Sequence, residues 1–239
     1  MQRLLHFLWQ RSKSSSVLLQ AVDGEGVEPK ALIKPHGCFI SVGHAELAFP
    51  DAVDVQTGKG HADLSAEYSS IPSDMKKVAA VFGKEVCADI TEEEVIARVT
   101  EVKEKAGDRA LLRALHFFEE NKRVEKEVCA LKEDRFEDFL ELITESGNSS
   151  WKWLQNCYVP GSEEQGITTA LALTELFLKE KGCGACRVHG GGFAGVIMAM
   201  IPNALADEYI AYIEKAMGQG SAYRMSIRPY GAVCVNDFI

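Results

Sequence analysis

The chain has 239 residues, of which 46% are hydrophobic and 26% charged, the balance of an ordinary globular protein with enough length to bury a core without disulfides or metals. Its net charge of −9 and pI of about 5.2 argue against a phosphate-backbone footprint, so nucleic acid is not an expected partner. No stretch approaches the roughly 20 apolar residues of a membrane span, and residues 1–10, followed by Arg11 and Lys13, lack a signal-peptide cleavage site, so no membrane partner is expected either.

Residues 1–50 hold no sustained period. Glycine and proline interrupt them every few positions, at Gly24, Gly26, Pro29, Pro35, Gly37, Gly43 and Pro50. Short strands such as 38–42 are compatible with them. This segment reads as atypical, and a separate unit is expected over 51–239. Residues 52–56 alternate as a strand does, and Thr57-Gly-Lys-Gly60 supplies a turn. Pro72 and Ser73 mark a helix start before residues 75–82. Thr91-Glu-Glu-Glu94 has the capping-box form and predicts a helix to about Lys105, ended by Gly107.

Residues 108–131 predict a long amphipathic helix, with Leu111, Leu112, Leu115, Phe118 and Val124 at three- and four-residue steps. Further helices are predicted over 135–145, 149–157 and 165–179, the last followed by Gly182. After Gly182 the pattern changes to strands at 196–201, 225–228 and 232–235, with a helix over 204–217 between them. A helix-rich middle leading into a β-β-α-β-β tail predicts an α+β layered fold.

Seven cysteines, odd in number and scattered, read as reduced thiols of a cytoplasmic protein. Cys183-Gly-Ala-Cys186 has the spacing of half a zinc site, but no second pair completes four ligands. His61 and Asp63 read as a turn after a strand rather than a metal pair. His116 falls on an apolar helix face and reads as a packed core residue. The acidic run 91–94 reads as a solvated helix start. Arg187 has two readings of equal weight, a phosphate contact and an ion pair with a surface carboxylate.

Gly184-Ala-Cys-Arg-Val-His-Gly-Gly-Gly-Phe-Ala-Gly195 carries the most chemistry. Successive glycines admit positive φ, so consecutive N–H groups can point to one side and cradle an anion. By spacing alone a tight turn or close packing is the favoured reading. The segment closely resembles the third signature of the GHMP sugar kinases in its galactokinase form. Four others resemble that family in the family's order: Thr57-Gly-Lys-Gly-His-Ala-Asp-Leu-Ser-Ala-Glu-Tyr68, the helix from Gly107 to Arg123, Glu145-Ser-Gly-Asn-Ser-Ser, and Leu154-Gln-Asn-Cys-Tyr158.

The resemblance covers the chain from about Gln56 onward and implies a galactokinase, transferring the γ-phosphate of ATP to the anomeric hydroxyl of galactose with Mg²⁺. It implies a ferredoxin-like C-terminal domain with a helix-rich insertion, the active site lying between this and an N-terminal kinase domain. It also implies that Tyr68 contacts the sugar and that His189, Gly190, Gly191, Gly192, Phe193 and Gly195 form an active-site loop near the phosphates. Two positions depart from it: His189 stands where many relatives carry Thr, and Ala194 where many carry Gly.

The family's Gly-Leu-Ser-Ser-Ser-type phosphate loop, its catalytic aspartate with an assisting arginine, and its Gly-Glu-His-like sugar motif have no counterpart in these residues. Ser14-Ser15-Ser16 has no glycine before it and reads as coincidence. The N-terminal kinase domain is therefore expected to be missing, through a truncated gene, a frameshift or an excised domain. The chain alone is expected to be inactive and to self-associate through an exposed interdomain surface. The alternative is a non-catalytic sugar- or nucleotide-binding regulatory module on the same fold.

Overall fold

Strand β1 (Asp51–Gln56) alternates as its sequence requires, with Val53 and Val55 buried on one face of the sheet and Asp54 on the other. The computed structural model describes residues 51–57 and 64–226. It contains a four-stranded sheet of β1, β2 (Ala185–His189), β3 (Val196–Met200) and β4 (Ala222–Ser226) in the order β2-β3-β1-β4. Every neighbouring pair is antiparallel, with Val53 opposite Ala199 and Val55 opposite Ile197. Because β3 lies between β1 and β2, the chain makes the split β-α-β of a ferredoxin-like α+β fold. Helices fill the long excursion from β1 to β2.

The insertion comprises α1 (Ser65–Val81), α2 (Glu92–Ala97), α3 (Val99–Ala106), α4 (Asp108–Lys132) and α5 (Phe136–Ser149). A π-helical turn at Ser150–Leu154 and then α6 (Gly166–Lys181) return the chain to the sheet, and α7 (Ala206–Met217) joins β3 to β4. One sheet face packs on α6 and α7, with Val53, Val55, Val188 and Ile197 meeting Ile167, Leu171, Tyr209 and Ile213. A buried hydrogen bond of 2.7 Å between the Thr174 and Tyr209 hydroxyls pins these two helices together. On the opposite face Ala185 and Met200 meet Phe139, Leu140 and Ile143 of α5. Helix α5 comes so close that a Cβ added at Gly147 would stand 3.0 Å from the Cys186 carbonyl oxygen. A second core joins α1 to α4, built on Met75, Val78, Val95, Val102 and Phe117, and it also takes in Phe193 and Ala194.

Several expected boundaries are corrected. Helix α1 begins at Ser65, not at Pro72, which lies inside it. Proline forfeits one helical hydrogen bond there, but Leu64 and Ile71 are buried by the second core, and that burial outweighs the local penalty. The single helix expected from Thr91 to Lys105 breaks at Arg98. Its guanidinium bonds Glu101 at 2.8 Å and the Val81 carbonyl at 3.2 Å, and it stacks over the Phe82 ring. The Thr91–Glu94 capping box forms as its sequence predicts. The helix expected over 149–157 is only the π turn, ended by Gln155 in the left-handed region (φ 58, ψ 49). Strand β4 begins at Ala222 rather than 225. The strands expected over 38–42 and 232–235, and His61 and Asp63, lie outside the described residues. Among the described residues no helix is long and apolar enough to cross a membrane.

Candidate functional site

The hairpin between β2 and β3 carries the glycine loop. Gly190 (φ 76), Gly192 (φ 79), Phe193 (φ 58) and Gly195 (φ 101) all adopt positive φ, so the loop takes a path that glycine favours. Phe193, the one non-glycine among them, is held there by burial in the second core and by an edge-on contact with the Tyr68 ring, 5.6 Å between centroids.

Three groups grip the loop from outside it. The Tyr68 hydroxyl donates to the Gly192 carbonyl at 2.7 Å. Burial raises the Tyr68 pKa, which keeps that hydroxyl protonated. Asn156 donates from Nδ2 to the Gly191 carbonyl at 3.1 Å and accepts the Phe193 N–H on its own backbone carbonyl at 2.5 Å. Thr57, just after β1, donates both its N–H and its hydroxyl to the Gly195 carbonyl, each at 2.8 Å. The fit is tight: a Cβ added at Gly191 would stand 2.8 Å from the Tyr68 ring, and one at Gly192 only 2.1 Å from the Asn156 carbonyl oxygen.

Among the described residues no acceptor meets the N–H groups of Gly190, Gly191 or Gly192. Three successive unengaged N–H groups on a rigidly held loop suit a small anion, phosphate above all. They offer a cation nothing, and no cluster of three or more His, Cys, Asp or Glu side chains suited to a metal occurs among the described residues.

The remaining candidates fall into place around the loop. His189 closes β2, and its Nδ1 lies 3.1 Å from Oδ1 of the buried Asp54 on β1. The carboxylate can only accept, so Nδ1 carries the proton. Arg187 does not reach the loop. It is buried, bonding Ser146 Oγ at 2.6 Å and Glu120 Oε1 at 3.4 Å, and Glu120 also pairs with Arg123. Its partner is thus a buried carboxylate rather than a surface one. Burial alone would raise the Glu120 pKa, but Arg187, His116 and Ser146 together hold it below the usual range. His116 is a core residue as expected, with Nδ1 2.9 Å from Ser149 Oγ. Burial pushes the Cys186 thiol up to about 12, so it stands as a protonated thiol at neutral pH.

Sequence reasoning missed Asn156, Thr57 and Asp54 as parts of this site. Asn156 and Thr57 lie within segments that carry the resemblance, but no spacing rule marks a side chain whose partners on the loop are 35 or more positions away.

No protein-family model matches the chain. Curated relatives do. It is 25% identical over 200 residues to the galactokinase of Glaesserella parasuis, covering 84% of this chain and 46% of the relative. It is 30% identical over 146 residues to that of Thermotoga neapolitana (61% and 37%), and 34% identical over 126 residues to that of Clostridium perfringens (52% and 30%). This chain is galactokinase-like. It spans less than half the length of these curated relatives. The galactokinase-like chain also shares its fold with a crystal structure of Lactococcus lactis galactokinase complexed with galactose, at a TM-score of 0.60 and 20% identity, covering 76% of this chain and 46% of that one.

Proposed function

We propose that residues 51–239 are the C-terminal, ferredoxin-like unit of a galactokinase-type sugar kinase, and that the loop of residues 189–195 forms the phosphate-facing wall of its cleft. In the full-length enzyme the reaction is ATP-dependent phosphorylation of galactose at the anomeric hydroxyl. The observation that carries this reading is the run of three unengaged N–H groups at Gly190, Gly191 and Gly192. Such donors act by positioning and by neutralising charge, which is most of what phosphoryl transfer asks of a protein. Mg²⁺ would be held by the phosphates and by groups other than these three N–H donors, which offer a cation no lone pair.

Tyr68 is proposed as the sugar-side residue. Its hydroxyl proton is committed to Gly192, so a sugar hydroxyl meeting it would donate to its lone pairs. The sequence holds no counterpart of the family's phosphate loop or catalytic aspartate, so this chain alone is proposed to have negligible kinase activity and to act in the cytoplasm as part of a longer enzyme or with a complementing half. Tyr223 and Met225, both exposed on β4, support the further proposal that the isolated chain self-associates.

The test is isothermal titration of the purified, folded chain with Mg·ATP and with galactose, beside an assay for galactose phosphorylation. Mg·ATP binding displaced by pyrophosphate, without turnover, supports the reading. Turnover by the chain alone contradicts the proposed inactivity, and absence of any Mg·ATP or pyrophosphate binding contradicts the phosphate wall.

A further inference from the structure

The three unengaged N–H groups are useful only if they point the right way, and a peptide's direction is set by whatever holds its other side. A trans peptide is planar, with its C=O and N–H on opposite edges. The Gly191 carbonyl is held by Asn156 Nδ2 at 3.1 Å, so the N–H of Gly192, in the same peptide plane, must point away from Asn156. The Asn156 backbone carbonyl takes the next N–H, that of Phe193, at 2.5 Å and removes it from the set of free donors. One residue therefore fixes two successive peptide planes, leaving one donor free and consuming the next. Glycine at position 192 is what lets the two segments come this close.

We infer that Asn156 is the positioning residue of this loop, aiming the Gly192 N–H at the anion. The inference rests on the phosphate-binding reading above for its purpose, though not for its geometry. Asn156 is itself rigidly placed, being buried and immediately following Gln155 in the left-handed region. The turn before it is anchored by Arg113, which donates from Nε to the Leu154 carbonyl at 3.1 Å and from Nη1 to Asp74 at 2.8 Å. The loop's aim is thus tied, through Asn156 and Leu154, to a buried ion pair between α1 and α4.

The experiment uses the full chain labelled with ¹⁵N, in wild-type form and as Asn156→Ala and Asn156→Asp. The aspartate has the same shape but cannot donate from an ionised carboxylate to the Gly191 carbonyl. Amide resonances of Gly190, Gly191 and Gly192 are followed first without ligand and then during titration with inorganic pyrophosphate.

Without ligand, both variants should displace or broaden the Gly192 amide while resonances of α6 and α7 stay in place. With pyrophosphate, both should bind about tenfold more weakly than wild type, the loss that one misaimed hydrogen bond to a charged group produces. Unchanged loop amides in both variants would overturn the inference, as would loss of the whole fold in both, which would make Asn156 a general core residue. If the loop amides respond but wild type ignores pyrophosphate, the positioning role stands and the phosphate reading fails.

Discussion

The Tyr68 hydroxyl reaches across 124 positions of sequence to donate a 2.7 Å hydrogen bond to the Gly192 carbonyl, and this one contact fastens the N-terminal end of α1 to the glycine loop. Tyr68→Phe removes the hydroxyl and keeps the ring against Phe193. The variant should lose about 0.5–1.5 kcal/mol of stability, the net worth of one hydrogen bond. It should also exchange the loop amides with solvent faster. Urea unfolding and hydrogen exchange read the two effects; a loop that exchanges at the wild-type rate would show that the phenolic hydroxyl does not hold it.

Two glycines of similar backbone should respond differently to alanine. Gly190 has φ 76 with nothing within 4 Å of an added Cβ, whereas Gly192 has φ 79 with the Asn156 carbonyl oxygen at 2.1 Å. Gly190→Ala should cost about 1–2 kcal/mol for left-handed backbone alone. Gly192→Ala adds a clash with backbone that cannot step aside and should cost several kcal/mol, beyond the range of ordinary substitutions, about 0.5–3 kcal/mol. Equal losses in denaturant unfolding would contradict the close approach.

The buried pair of Arg187 and Glu120 should behave as a unit. Arg187→Met leaves Glu120 in the interior with Arg123 and Ser146 still bound, so the loss should fall near the lower end of the roughly 3–5 kcal/mol seen when a buried pair is broken. Adding Glu120→Gln removes the stranded charge and should recover part of that loss. A double-mutant cycle measures the coupling; strictly additive losses would count against a shared network.

Acid should unfold the protein through two carboxylates. Burial works to raise the Asp74 pKa, but hydrogen bonds from Arg109 and Lys77 outweigh it and hold it below 3.8, as Glu120 is held below 4.5. A carboxylate with a depressed folded pKa contributes stability that is complete above its unfolded value and is lost as pH falls through the folded one. Unfolding free energy should therefore fall steadily below about pH 4, the unfolded carboxylate range. Asp74→Asn should lower stability at neutral pH and flatten that acid slope; a variant with the wild-type slope would remove Asp74 from this role.

How much of this could be read from sequence follows the range of the forces involved. The long helix α4 was legible to within a residue, because a sustained apolar period and the glycine that precedes it, Gly107, act locally. So was the Thr91 capping box. Pro72 misled, since a local breaker was overridden by burial of Leu64 and Ile71. The π turn and Gln155 left no mark in periodicity. Triple glycine suggested an anion loop, but spacing could not decide between that and a tight turn, because the free N–H groups become meaningful only once Tyr68 and Asn156 grip the other side of the chain. Arg187 was undecidable for the same reason: its partner, Glu120, lies 67 positions away.

The claim that most needs testing is that the loop after β2 receives phosphate. Titrating the ¹⁵N-labelled chain with Mg·ATP while following each backbone amide tests it even when binding is weak. The amides of Gly190, Gly191 and Gly192 should shift first and furthest, and pyrophosphate should produce the same pattern. Saturating shifts confined to other parts of the fold, or no shifts at all in a folded chain, would contradict it.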